Sequence, residues 1–466
     1  MGALAVLQAT DPLEETRAMA HRALDEWIDA LAPFFRSAVP PKLSELSQHV
    51  QKTRLEFLGA CLEAAVEKLY APYLEQEQAT CPHCRKRLWR KRFDDQTIST
   101  MQGCFTLKRP YFYCPRCRYG FHPIDEALEL APEEHQYDVQ QQATRLGADL
   151  PFERAAEHFS RVSGVTAGSH FTHETLTAIG ESASLDLVIP QREEIERRIA
   201  EARGDDRVRP VLVVAVDGAH IPIRAPAARD EKRPGAYREV KGVRLYLLGR
   251  GGGERIISVA SWHQVAEVQG FRADLEAIAT RVPQDQVRIA LVADGAPWIW
   301  NVVQAAFPTG TQILDYYHCA QHLYTVAHAQ YGETLQAKEW VEITLIRLAL
   351  NHPERVIGEL REMKPENDSA AEEIRKLINY LPENRHRFAY HRAKNAGMPI
   401  SSGGIESANK FFCHSRMKVT GAWWLEPNSN GMLRIRCAIH NGTFDRVFHH
   451  HVKRSQDARE KRSTSP

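Results

Sequence analysis

Two Cys-x-x-Cys pairs, Cys81-Pro82-His83-Cys84 and Cys114-Pro115-Arg116-Cys117, constrain this chain more than any other feature. Each pair presents two thiolates from one tight turn. Two such turns supply the four soft ligands that a tetrahedral zinc requires. The 29 residues between Cys84 and Cys114 have room for a hairpin, predicted over Thr97–Thr100 and Phe105–Lys108 around Gly103. The spacing therefore predicts a zinc ribbon, with Zn²⁺ on Cys81, Cys84, Cys114 and Cys117. A metal with all four positions filled by protein organises structure and does not catalyse. A redox dithiol would need a thioredoxin-like βαβ context, which is missing from the pattern. Cys104, His83 and His122 are less regularly spaced competitors for the metal. The remaining cysteines are scattered, unlike a secreted disulfide framework, and suit a reducing compartment.

At 466 residues the chain exceeds one ordinary core, and roughly two to four domains are expected. Its longest apolar run, Val211–Val216, falls far short of a membrane span of about 20 residues. Met1–Thr10 lacks the basic start of a signal peptide. A cytoplasmic, nucleoid-associated protein is the expectation, with no membrane partner. The net charge of +1 carries no information about partners, but local charge does. Ten Lys or Arg lie between Cys81 and His122 against Asp94 and Asp95, and six against three acids in Asn441–Pro466. Such segments can neutralise phosphates, and Arg85, Lys86, Arg87 and Arg90 head the candidate nucleic-acid contacts.

Apolar residues at three- and four-residue spacing predict helices over Glu14–Leu31 and Leu43–Tyr70. Residues 136–200 are again helical. The break at Ser163-Gly164-Val165 between two short helices has the outline of a helix-turn-helix. A boundary is expected at Gly204–Asp206. The pattern then switches to strands at Val211–Val216, Val243–Leu248 and Arg255–Ser261, the last two joined by the turn Gly249–Gly253. A helix over Phe271–Ala279, a strand over Gln286–Val292, a helix over Trp298–Phe307 and a strand over Thr311–Leu314 follow. Three meandering strands followed by alternating helix and strand predict a ribonuclease-H-like α/β sheet. Residues 319–395 return to helix, broken at Pro353, Pro365 and Pro382.

Asp217 and Asp294 each follow an apolar strand and precede a glycine. A carboxylate there is costly to bury without a partner, and a metal is one explanation. In the expected sheet the two strands are neighbours, so the two acids should meet. Glu406 lies in the first turn of a helix beginning near Gly404, where the helix dipole alone would also favour it. Glu426 is a rival acid in a stretch that reads as loop. Asp217, Asp294 and Glu406 together would hold the Mg²⁺ (or Mn²⁺) ions that phosphodiester chemistry uses. Asp315 and His318 close the fifth strand, where they would touch a nucleic-acid strand or hold a loop. Cys319 and His322 offer half a zinc site and read as helix-packing residues. Arg416, Lys418, Arg434 and Arg436 surround Trp423 and Trp424, a mixture that can hold phosphates and stack unpaired bases.

From about Cys81 to Arg446 the chain resembles ISKra-type insertion-sequence transposases of the Mutator-like, acid-triad group. The matching segments are Cys81–Cys84, Arg109–Cys117, Val216-Asp-Gly-Ala219, Val292–Asn301, Asp315-Tyr-Tyr-His318, Ile405-Glu-Ser407 and Arg416-Met-Lys418. The resemblance implies a ribonuclease-H-like catalytic domain with an all-helical insertion before the last acid. It makes Asp217, Asp294 and Glu406 the metal-binding catalytic triad, and matches Asp315 and His318 to the group's acidic-x-x-His motif. The expected organisation is a helical region (1–78), a zinc ribbon (79–125), a helix-turn-helix-like DNA-binding region (126–205), the first part of the catalytic core (206–325), a helical insertion (326–395), the last catalytic helix (396–445) and a basic tail (446–466). Double-stranded DNA, as transposon ends and target, would be the partner of a homo-oligomer. A non-enzymatic DNA-binding regulator derived from such an enzyme, and a structure-specific nuclease, are the competing readings.

Overall fold

The computed structural model describes residues 11–204, 207–224, 235–249 and 255–462. Met1–Thr10, residues 205–206 of the expected boundary and residues 250–253 of the expected glycine turn lie outside them. The chain forms two compact units, one of Met1–Ala178 with Phe448–Pro466 and one of Ile179–Val447. The region 126–205 is divided after Ala178, and the C-terminal segment belongs to the first unit. Arg459 ties that segment to the first unit: its Nη1 donates to Leu130 O at 3.1 Å, and its Nη2 lies 3.5 Å from Asp125 Oδ2.

In the first unit, Asp11 caps a helix Pro12–Ala30 by accepting from Leu13 N, with Glu14 and Glu15 in the first turn. The helix Leu43–Leu69 follows, and its Leu62 and Val66 pack on Ile98, Phe105, Leu107 and Ile124. Two short strands, β1 (Gln78–Thr80) and β2 (Arg87–Trp89), pair antiparallel. β3 (Arg92–Thr100), β4 (Gly103–Cys114) and β5 (Tyr119–Phe121) make an antiparallel sheet. The expected hairpin is therefore present and longer, running from Arg92↔Tyr111 to Thr100↔Gly103. Residues 103–107 of β4 alternate buried and exposed, the period-two signature of a sheet with one packed face. Close approach of the long helix requires two glycines. A β-carbon on Gly59 would stand 2.8 Å from Cys104 O, and one on Gly103 would stand 2.2 Å from Leu55 O. Helices Tyr137–Asp149, Phe152–Ser163 and Ser169–Ser182 follow, the second ended by Gly164 at φ 83°.

The second unit is built on a five-stranded sheet. Its strands are β6 (Val211–Arg224), β7 (Gly235–Gly249), β8 (Arg255–Val265), β9 (Arg288–Ala293) and β10 (Thr311–Leu314), in the spatial order β10-β9-β6-β7-β8. β6, β7 and β8 pair antiparallel, whereas β9 lies parallel to both β6 and β10. Helices Val268–Arg281 and Pro297–Ala306 connect β8 to β9 and β9 to β10. Val211–Val216 is buried throughout, as an unbroken apolar run in a sheet covered on both faces requires. β6 does not end at Val216, as the apolar run predicts, but stays paired with β7 out to Arg224.

Five helices follow β10, from Tyr316–Tyr331 to Tyr390–Asn395, and then the short helix Gly403–Asn409. Pro382 causes no early break: it sits in the last turn of Asp368–Glu383. Glu426 is not in a loop but opens the helix Glu426–Asn441, with a proline in the first turn, where its missing N–H costs nothing. Among the described residues no helix is long and apolar enough to cross a membrane.

Candidate metal centre and acidic site

Cys81 and Cys84 flank the turn between β1 and β2, and Cys114 and Cys117 flank the turn between β4 and β5. All four sulfurs lie within 4.8 Å of one another. Cys81 and Cys117 are 3.9 Å apart, and Cys84 and Cys114 3.6 Å. Four thiolates at Zn–S distances near 2.3 Å would be separated by about 3.8 Å. The cluster can therefore bind a metal such as zinc without rearrangement. Burial raises the Cys114 thiol, but the Cys117 amide and the Cys84 thiol bring it down to about 7. Cys117 is pushed up to about 12 by burial and its neighbouring thiols. Crowded thiols resist full ionisation, and a divalent cation removes that conflict. Both knuckles place an arginine in the left-handed region directly after the second cysteine, Arg85 at φ 59° and Arg118 at φ 50°. Cys104 is exposed, His83 packs edge-on against Tyr119, and His122 faces Asp94, so none of the competing ligands joins the cluster.

Arg85, Lys86 and Arg87 are exposed on the first knuckle. Arg90 is tied into the protein: it stacks on Phe93 at 4.4 Å and reaches the carbonyls of Glu75 and Gln76.

In the second unit the ladder geometry aligns three aspartates. Extending the β6–β9 register two residues beyond Ala215↔Val292 brings Asp217 level with Asp294. Extending β9–β10 one residue beyond Ala293↔Leu314 brings Asp315 level with Asp294. Asp217 sits where β9 stops flanking β6, partly open to solvent. Its Oδ1 accepts from Gly218 N at 2.7 Å and its Oδ2 from Asn409 Nδ2 at 2.8 Å. Burial pushes the Asp217 carboxyl up to about 6. The Gly218 amide opposes the shift, while the nearby Asp294 charge adds to it. Asp294 Oδ1 accepts from Ala296 N at 3.1 Å across a turn made possible by Gly295 at φ 105°.

Asp315 is not placed to touch a nucleic acid. It is 4% exposed, and both its oxygens are used on backbone amides. Oδ1 accepts from His318 N at 2.6 Å, capping the helix Tyr316–Tyr331, and Oδ2 accepts from Ser402 N. The second bond grips the start of the helix Gly403–Asn409. Arg244 grips the same end, donating to Gly404 O at 2.8 Å. His318 is half-buried with its Nε2 3.2 Å from His322 Nε2. Cys319 is a buried packing residue.

Glu406 does not join the two aspartates. The cysteine cluster is the sole group of three or more potential ligands gathered within 4.8 Å among the described residues. The Glu406 side chain is 64% exposed and pairs with Lys410 Nζ at 2.9 Å. The residue of its helix that meets Asp217 is Asn409, three positions on. Asn409 also lies 3.1 Å from Nε2 of the fully buried His263. Sequence spacing did not point to Asn409 or His263. Their only signal is a polar side chain at a position that the strand and helix periodicities turn inward.

The basic and aromatic cluster also divides. Arg416 and Arg436 are buried, so the expected phosphate contacts do not form through them. Arg416 packs on Trp424 at 5.1 Å, and Arg436 donates to Phe411 O at 2.5 Å. Arg434 is half-buried. Trp424 is in the core, its Nε1 donating to Met417 O at 3.0 Å. Lys418 and Trp423 remain exposed and, with Tyr237 and Pro222, line a concavity of about 290 Å³.

Fold and sites together define a multidomain α/β protein with a mixed sheet, many helices and a four-cysteine cluster able to bind metal. It belongs to the uncharacterised protein family UPF0236, which matches residues 41–454. No curated protein matches it.

Proposed function

We propose that the protein is a DNA transposase of the acid-triad, ribonuclease-H-like group. The observation that carries this reading is the register that sets Asp217 level with Asp294 at neighbouring parallel strands. The strand order supports it, with a three-strand antiparallel meander followed by two strands added parallel beside the first. The helices between Tyr316 and Asn395 stand where the resemblance implies an all-helical insertion before the last acid.

The two aspartates fit a divalent cation. One carboxyl is raised by burial and by the charge of the other, the conflict that a cation resolves. Mg²⁺ or Mn²⁺ bound there would polarise a phosphoryl oxygen and lower the pKa of a bound water or hydroxyl. Asp217 and Asp294 would hold it. Glu406 would complete the set by giving up Lys410, a rotation of one exposed side chain. Asp315 and Arg244 would keep the Glu406 helix in place. Strand cleavage and joining then need no covalent protein–DNA intermediate. The zinc ribbon, with Arg85, Lys86 and Arg87 exposed, would contact the ends of double-stranded DNA, and pairing of two ends calls for a homo-oligomer in the nucleoid.

The separation of Glu406 from the aspartates favours one second reading, a non-enzymatic zinc-ribbon DNA-binding protein. Incubation with Mg²⁺ and DNA carrying the flanking terminal repeats decides between them. Nicks and joined products are expected. Binding without nicks would leave only the second reading, and nicks without joining a structure-specific nuclease.

A further inference from the structure

Asp217, Gly242 and His263 are direct partners across β6, β7 and β8, so all three positions share one face of the sheet. The middle position has no side chain. A β-carbon on Gly242 would lie 2.5 Å from His263 Nε2 and 3.2 Å from Asn409 Oδ1. The space above this glycine is filled first by the His263 ring and then by the Asn409 carboxamide beside it, which arrives from the helix Gly403–Asn409 and is 4% exposed. The amide bridges the outer two residues of the row: Nδ2 to Asp217 Oδ2 at 2.8 Å, and Oδ1 to His263 Nε2 at 3.1 Å.

Chemistry fixes the direction of this chain. An ionised carboxylate only accepts, so Asn409 turns its NH₂ to Asp217 and its oxygen to His263. His263 must then carry its proton on Nε2, which leaves Nδ1 as the acceptor facing the Cys437 thiol at 3.9 Å. Burial keeps the ring neutral, with its pKa pushed down to about 3.

We propose that Asn409 is the positioning residue for Asp217, its amide oriented by His263 in the slot that Gly242 leaves open. The role rests on the reading of Asp217 as a cation ligand. With Gly218 N on one oxygen and Asn409 on the other, the carboxylate is held in orientation at both ends. Each oxygen keeps a second lone-pair position for a cation.

The test uses the full chain and Mn²⁺ as probe, read by electron paramagnetic resonance, with Asp217→Asn defining the background. Asn409→Leu and Gly242→Ala are expected to weaken Asp217-dependent Mn²⁺ binding by about 10–100-fold, the usual effect of losing a group that orients a ligand. His263→Leu should do the same. His263→Gln, which can still donate to Asn409, should retain wild-type affinity, and a merely structural role would not separate these two variants. Equal affinity in Asn409→Leu and wild type, or equal loss in His263→Gln and His263→Leu, overturns the proposal. Absence of Asp217-dependent Mn²⁺ binding in the wild type would instead sink the metal reading. The proposal is then judged from the Asn409 side-chain amide signals in ¹⁵N-asparagine-labelled protein. They must move in both Asp217→Asn and His263→Leu, and signals unmoved by either substitution would refute it.

Discussion

Asn409 donates to Asp217 Oδ2 at 2.8 Å, while Glu406, three residues earlier on the same helix, turns to solvent and pairs with Lys410. The helix is thus docked with a carboxamide, and not its own acid, against the strand. To join the proposed site Glu406 would give up its pair with Lys410. The pair it leaves is two-thirds exposed, and such pairs contribute about 0–1 kcal/mol. That is small beside the attraction that a divalent cation at the proposed site would exert on a third carboxylate.

The Glu406 prediction follows from that balance. Glu406→Gln should abolish metal-dependent strand cleavage and change folding stability by no more than about 0.5 kcal/mol, as for an ordinary surface substitution. Lys410→Ala should leave cleavage intact. Cleavage of end-containing DNA by Glu406→Gln at the wild-type rate would remove this residue from the site.

Asp217→Asn should also abolish cleavage, with DNA binding retained, and it should stabilise the protein in a pH-dependent way. The Asp217 carboxyl is raised from 3.8 to about 6 in the fold. The folded chain therefore holds this proton more tightly than the unfolded chain. Stability from the neutral form is complete below about pH 4 and lost as pH rises through about 6. Asparagine cannot ionise, so at pH 8 the variant should gain on the order of 1–3 kcal/mol over wild type, a gain that disappears near pH 4. Urea denaturation at the two pH values measures it, and an identical difference at both would contradict the assignment.

The cysteine cluster predicts about one zinc per chain. Cys114→Ser or Cys81→Ser should remove it, and strong chelators should do the same to the wild type. The hairpin β3–β4 should then loosen, because Cys81, Cys114, Leu88 and Phe112 share one small core. Elemental analysis and amide exchange across 92–114 provide the readout. Full zinc content in either serine variant would rule out a four-thiolate site.

Basic residues that look alike in sequence should behave differently. Replacing exposed Arg85, Lys86 and Arg87 with alanine should weaken DNA binding and flatten the salt dependence of log K by up to about 0.9 for each phosphate that is no longer neutralised. Arg416→Ala should leave that slope unchanged and lower stability instead, since Arg416 is buried against Trp424. Salt titrations of DNA affinity, with thermal melts, distinguish the two classes. An unchanged slope in the triple variant would take the first knuckle out of the DNA surface.

Much of this protein is legible in its sequence wherever the determining contacts are local. The four-cysteine cluster is legible because each tight turn presets two thiols. The strands Val211–Val216 and Thr311–Leu314 and the helix Leu43–Leu69 are legible because burial imposes a period on neighbouring residues. The adjacency of Asp217 and Asp294 also followed from strand order, because parallel pairing aligns strand ends. Tertiary structure decided the rest. It extended β6 past its apolar run because β7 keeps pairing with it. It returned the C-terminal segment to the first unit. It buried Asp315, Arg416 and Arg436, whose charges alone suggested surface. The bridge from Asp217 through Asn409 to His263 joins residues 192 and 146 positions apart. No local pattern encodes it, because it depends on a missing side chain at Gly242 and on where a distant helix comes to rest. Short-range periodicity and turn chemistry thus set the elements and the cysteine cluster, whereas packing between elements far apart in the chain chose which polar groups meet.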